Sequence, residues 1–334
     1  MARRALPKLP QLLDRKIYKT GQTRGADDDE IYQNRVSRTS TVLIPYPVWT
    51  QHFTQEKAVG MFERGYIVLV PPVDYFDHLH SSPVELAAHG LTLGHNALVF
   101  YETREQWNAH GPAALGWEAA RSRLSPLLGQ YVARISATTA ADNGAKIIRG
   151  FDTTSNKGAG IRAYEYATEK EIGDCRFQLE ALFWLCKDSD AVAAANGMTE
   201  ENARLRKAEI LRACETLNLL DRDRLLGVRI INGRGLTVCP LCLEELSSNG
   251  FFSRMEQAAG REVLDLTITQ INLFHIEELR YGTFNHRPYN LGWGHHHCNV
   301  VVKDAGILQT LEWMNDVLQR NISGGYFSAT NKAS

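Results

Sequence analysis

A chain of 334 residues, 44% hydrophobic and 22% charged, has enough apolar material for a sizeable core and room for two domains. A net charge of −1 excludes a non-specific polybasic coat protein for nucleic acid, yet it allows a local basic surface: the first forty residues hold nine Lys/Arg against five Asp/Glu. No segment approaches the roughly 20 unbroken apolar residues that span a bilayer, and Met1 to Pro7 lead into no apolar signal core, so a cytoplasmic protein without membrane contact is expected.

Residues 1–41 are polar, with turns at Gly21 and Gly25 and an acidic run from Asp27 to Glu30; they read as an arm, with Arg24, Arg35 and Arg38 available to DNA backbone or simply solvated. Thr41–Ile44, Tyr66–Val70 and Ala97–Tyr101 are short β-branched apolar runs that predict buried strands. Ser82-Pro83-Val84-Glu85 predicts a short helix that starts at a serine cap and stops near Gly90, and Thr103 with Gln106 predicts a capping box for a second. Leu115 to Ile135 repeats apolar residues at helical spacing. The Thr/Asn/Gly-rich segment 136–162, including Lys157, reads as a loop that either touches DNA or lies plain on the surface. Arg176–Lys187 predicts a core helix. Thr199 caps another that runs to about Leu220, with Leu205, Ile210, Leu211 and Leu217 inward. A domain break is expected at Asn232-Gly233-Arg234-Gly235.

The six cysteines divide into two groups. Cys175, Cys186 and Cys214 sit singly in apolar helical patterns and read as small buried hydrophobes. Cys239-x-x-Cys242 and His295-x-x-Cys298 are instead two half-sites. The first puts two thiolates on a tight turn, and the second puts two donors at i and i+3 of a helix expected over His295–Lys303. Four such donors suit tetrahedral Zn²⁺, and filling all four positions makes the ion structural. Between the half-sites, Leu264–Thr269 and Ile271–His275 alternate as strands with a slip near Gln270, and Asn285–Tyr289 is a polar loop. The order expected is two strands, a loop and a helix closed by zinc.

This stretch resembles the HNH, or ββα-metal, endonuclease domain. On that pattern His275 matches the histidine that ends the first strand, Asn290 the loop asparagine and Asn299 the helix position. The resemblance implies His275 as general base, Asn290 as a positioning residue and Asn299 as ligand of a catalytic Mg²⁺, or Mn²⁺. One position departs from it: Phe274 stands where many members carry a metal-binding Asp. His286, then His296, Glu277 and Asp265, are the candidates for a second ligand. Lys303, Arg280, Arg287 and Lys157 are candidate DNA contacts.

Leu273–Glu277, Asn285–Pro288 and Asn290–Asn299 together are similar to type II restriction endonucleases of the BstXI kind. The resemblance implies an α+β protein: a mixed α/β region for DNA recognition and dimerisation over 1–235, a zinc-stapled HNH module over 236–322 and a tail over 323–334. It also implies a homodimer acting on double-stranded DNA. Homing or modification-dependent nucleases, and a non-catalytic zinc-containing DNA-binding module, are the alternatives.

Overall fold

The computed structural model describes residues 6–18, 42–53, 62, 65–76, 81–120, 127–135, 147–149, 161–163, 166–253, 269–277, 283–302 and 306–327. The chain divides into two compact units, one made of 21–169 with 280–284, the other of 1–20, 170–279 and 285–334. Residues 170–235 therefore pack with the Cys/His segment, whereas the sequence suggests a break at 235. No helix among the described residues is long and apolar enough to cross a membrane.

The first unit is built on a six-stranded sheet. Its strands are β1 (Val42–Pro45), β2 (Tyr66–Val70), β3 (Ala97–Tyr101), β4 (Tyr131–Ile135), β5 (Ile147–Arg149) and β6 (Ile161–Arg162), in the order β5-β4-β3-β2-β1-β6. All neighbours are parallel except β4 and β5. Buried on both faces, the central strands read as unbroken apolar runs, which is why the sequence reveals them. Val42, Ile44, Val68 and Val70 pack with Trp49 and Leu86 on one face, and Leu43, Ile67 and Leu98 pack with Ala120 and Val132 on the other. Trp49 belongs to the helix Tyr46–His52 and Leu86 to the helix Ser82–Ala88, in which Ser82 is the first helical residue rather than the cap. Thr103 and Gln106 form the expected capping box of the helix Arg104–Ala109.

Leu115 to Ile135 departs from its helical spacing. A 3₁₀ turn, Pro112–Leu115, ends at Gly116 with φ 67°, Ala119 then bridges to Tyr131, and the segment finishes as β4. Gly129 requires the close return of the chain: a Cβ there would stand 2.4 Å from Ala120 N and 2.5 Å from the Ala119 carbonyl carbon. Tertiary contact thus overrides local periodicity.

The second unit gathers its core around the helix Glu169–Trp184, which buries Cys175, Leu179, Leu182 and Phe183. Glu180, almost fully buried, takes a two-pronged bond from Arg206 at 2.6 and 2.8 Å, which satisfies the carboxylate where water is absent. Arg206 belongs to the helix Glu200–Thr216, capped by Thr199 as expected. Its inner face is Ala203, Ile210 and Cys214, while Leu205 and Leu217 are exposed, so the inward stripe chooses small residues that let the helices approach. Burial pushes the Cys186 and Cys214 thiols up to about 12, as inert core cysteines require.

Besides the short helices Ser189–Ala195 and Arg222–Gly227, this unit has an N-terminal helix, α1 (Gln11–Tyr18), and a C-terminal set. That set comprises β7 (Ile271–His275), β8 (Leu291–His295), α10 (His296–Val302) and α11 (Ile307–Ser323); helices Tyr46–His52 through Arg222–Gly227 take the numbers between.

Candidate functional site

β7 and β8 pair antiparallel, with His275 opposite Leu291 and Phe274 opposite Gly292, and α10 follows β8 without a break and packs on both strands. The order is strand, loop, strand, helix. β8 is the element absent from the sequence reading: Leu291-Gly292-Trp293-Gly294-His295 carries two glycines, which argue against a strand when taken alone. The glycines are there to admit neighbours. A Cβ on Gly294 would lie 2.5 Å from the ring of Phe274, and one on Gly292 would lie 3.3 Å from the side chain of Ile230. Of the expected strand at 264–269, residues 264–268, including Asp265, lie outside the described residues.

Phe274 is fully buried. Successive strand residues face opposite ways, so it occupies the face opposite His275. The side chain found in place of the expected Asp is therefore a core residue packed against Gly294 of β8.

The four candidate metal ligands lie together. Cys239, Cys242, His295 and Cys298 bring four ligand atoms within 4.8 Å of one another, with Cys242 Sγ 3.4 Å from His295 Nδ1. A tetrahedral ion with bonds of about 2.3 Å needs donors about 3.8 Å apart, so three thiols and an imidazole at this spacing fit a closed zinc site after a slight contraction. Burial, and then the two neighbouring thiols, push the Cys298 thiol well up, a cost that a cation among them would reverse. His295 ends β8 and Cys298 lies in the first turn of α10, so the half-site joins a strand to a helix instead of lying within one helix as its spacing suggests. The Cys239 turn is held by its own backbone, Cys239 N donating to Glu244 O and Leu243 N to Cys239 O, and by Arg229, whose guanidinium donates to the carbonyls of Pro240 and Leu241. Among the described residues no other group of three or more His, Cys, Asp or Glu donors is so placed.

Asn290 ties the loop between the strands. Its Oδ1 accepts from Glu277 N at 2.6 Å, and its Nδ2 donates to Asn285 O at 2.6 Å and Glu277 O at 3.2 Å. The preceding Tyr289, at φ 66°, anchors the loop: its N–H donates to Gln178, its hydroxyl donates to Asn218 O, and Arg224 stacks 3.9 Å above its ring. Asn290 thereby fixes the backbone that begins two residues after His275.

His275 is half-buried at the end of β7, and the buried His286 lies beside it, ring centres 6.0 Å apart. Asn299 is half-buried on α10. Arg287 is exposed and pairs at 3.5 Å with the exposed Glu277, a contact of small energetic weight. Lys157, Arg280 and Lys303 lie outside the described residues.

A residue with no signal in the sequence also enters this unit. Lys16 on α1 donates to Ile271 O at 2.6 Å, Asn272 Oδ1 at 3.4 Å and Thr269 Oγ1, and Asn272 Nδ2 in turn meets His296 Nδ1 at 3.2 Å. Burial lowers Lys16 to about 8. Burial also lowers His296, with the charges of His297 and Lys16 adding to it. His296 is thus engaged with β7 at the start of α10.

A Cys₃His cluster spaced to hold a metal ion lies where a strand pair meets a helix, with a histidine at the strand end, in a mixed α/β protein. The particular assignment comes from comparison: residues 15–296 match the model of the BstXI restriction endonuclease family, and the chain belongs to that family. The matched span contains Cys239, Cys242, His275, Asn290 and His295 and stops short of Cys298 and Asn299. No curated protein matches. A solved structure described as a crystal structure of a type II restriction endonuclease aligns over 47% of this chain and 57% of its own, at 13% identity and a TM-score of 0.25. The aligned part thus spans a little over half of that protein.

Proposed function

We propose that the chain is a type II restriction endonuclease that cuts double-stranded DNA at a specific site, and that β7, β8 and α10 form a ββα-metal (HNH) centre. The observation that carries this reading is His275 ending the first strand of a ββα unit, inside the span matched to a restriction endonuclease family.

In this reading a neutral His275 imidazole removes a proton from water as its oxygen attacks the scissile phosphorus. The new O–P bond forms while the bond to the 3′ oxygen breaks, and that oxygen leaves in line. Asn290 holds the loop after His275 so that the ring keeps its direction. Asn299, with His286 as a further candidate donor, would hold a divalent ion; Mg²⁺ or Mn²⁺ supplies charge stabilisation at the phosphate when bound. Cys239, Cys242, His295 and Cys298 would hold structural Zn²⁺, which fixes the start of α10 and hence the direction of Asn299. Residues 1–235 supply most of the recognition and dimerisation surface, with Lys157 there and Arg280, Arg287 and Lys303 in the module as phosphate contacts. Two copies acting together match the two-fold symmetry of a palindromic site.

Digestion of a plasmid of known sequence with Mg²⁺ tests this. Discrete fragments with common ends support the reading, a smear contradicts site specificity, and an intact plasmid under every divalent ion contradicts catalysis.

A further inference from the structure

The side-chain amide of Asn272 on β7 is fixed in one orientation by its neighbours. Its Nδ2 donates to the carbonyl of Thr269 at 2.9 Å, and its Oδ1 accepts from Lys16 Nζ at 3.4 Å. A carbonyl only accepts and an ammonium only donates, so turning the amide over would set oxygen against oxygen and N–H against N–H. Lys16 is itself held in place. Ile271 O accepts from it at 2.6 Å, Thr269 Oγ1 accepts as well, and the centre of the Phe251 ring lies 6.0 Å from its ammonium.

With the amide fixed, the tautomer of His296 follows. Asn272 Nδ2 also faces His296 Nδ1, 3.2 Å away, and an amide nitrogen has only hydrogens to offer. Nδ1 is therefore the bare, accepting nitrogen, and in a neutral imidazole the proton sits on Nε2. A metal ion needs the opposite arrangement. Ligation through Nε2 requires the proton on Nδ1, where Asn272 presents no acceptor, and ligation through Nδ1 would displace Asn272.

His296 is tied to β7 by its backbone as well, its N–H donating to Gln270 O at 2.8 Å. His296 and Asn299 stand at i and i+3 of α10, on one side of the helix. A ring N–H beside Asn299 suits an oxygen acceptor and repels a cation.

We propose that Lys16, through Asn272, holds His296 as its Nε2–H tautomer, so that His296 donates to a phosphate oxygen beside Asn299 and is not a ligand of the divalent ion. Lys16 is thereby a positioning residue, delivered by α1 from 256 positions away in the chain. The identity of the acceptor rests on the proposed nuclease reading, whereas the tautomer rests on the hydrogen bonds alone.

Ring-nitrogen NMR of the zinc-loaded protein with isotopically labelled histidine, without DNA, reads the tautomer directly, because bare and protonated ring nitrogens resonate far apart. At about pH 7.5 an imidazole with the ordinary pKa of about 6.5 is mostly neutral. His296→Gln identifies the signals by their loss. The wild type should show Nδ1 bare and Nε2 protonated, with and without Mg²⁺. Asn272→Asp keeps the shape but puts an oxygen in place of Nδ2, and should move the proton to Nδ1. Lys16→Met should raise the share of the Nδ1–H form, and Lys16→Arg, which restores a donor, should lower it again. In Ca²⁺, His296→Ala should weaken DNA retention roughly tenfold, and His296→Gln, which keeps a donor, should weaken it less.

A wild type with its proton on Nδ1, or one that loses the Nε2 proton when Mg²⁺ is added, overturns the inference. An unchanged tautomer in Lys16→Met removes Lys16 from the role, and full retention of DNA by His296→Ala removes His296 from it. Since the tautomer is read without DNA, an Nε2–H ring in a wild type that neither retains nor cuts DNA counts against the nuclease reading alone.

Discussion

Replacing Gly294 with Ala probes the packing that explains Phe274. The new methyl would sit 2.5 Å from Phe274 Cδ2, 3.2 Å from Cγ and 3.3 Å from Cε2. Carbon atoms rest at about 3.5–4.0 Å, so the ring must retreat by about 1 Å or the strands must part. Phe274 is fully buried. Overpacking of this kind costs roughly 1–3 kcal/mol. At about 2–4 °C per kcal/mol, the melting temperature of the zinc-loaded protein should fall by roughly 2–12 °C in a calorimetric scan. Phe274→Leu makes room for the methyl at its own cost. The double variant should therefore lose less than the sum of the singles, by a coupling of roughly 0.5–3 kcal/mol. An unchanged melting temperature for Gly294→Ala, or costs that simply add, would refute the packing argument. In that case Phe274 would need another explanation than its contact with Gly294.

Other expectations follow from the same unit. Asn290→Ala leaves Glu277 N–H and Asn285 O without their side-chain partner, which should cost about 1–3 kcal/mol and speed amide exchange at Glu277; unchanged exchange there would count against its role in holding the loop. Cys239→Ser should release about one zinc per chain and loosen β8 and α10, since structural zinc carries folding free energy; full zinc content in the variant would refute the cluster. Lys16 gives a pH signature. Its folded value near 8 lies below the ordinary 10.5, so between those values the unfolded chain binds more protons, and the stability that Lys16 contributes rises with pH. The stability of the wild type relative to Lys16→Met should therefore increase from pH 8 to pH 10, and a flat difference by chemical denaturation would show that Lys16 is not buried as described.

Much of this was legible in the residues because the signals are local. Tyr66–Val70 and Ala97–Tyr101 are strands because both faces are covered, and such strands announce themselves as unbroken apolar runs. Thr103 and Thr199 cap helices by bonds that span three residues. The four potential donors come as two short spacings, which the fold brings within 4.8 Å of one another. What was not legible depends on partners far along the chain. β8 hides because Gly292 and Gly294 are chosen for Ile230 and Phe274, not for strand propensity. β4 hides because its helical spacing is broken by the return of the chain at Gly129. Leu205 and Leu217 are exposed because Ala203 and Cys214 take the inner face. Lys16 meets Asn272 across 256 positions, and no local pattern announces such a contact.

The central claim is that His275 makes this chain a site-specific nuclease. Its most direct test is parallel digestion of one plasmid by the wild type and His275→Ala with Mg²⁺, with DNA retention measured alongside in Ca²⁺. On this claim the wild type gives discrete fragments, the variant gives none, and both retain DNA equally. Full cutting by His275→Ala would contradict it.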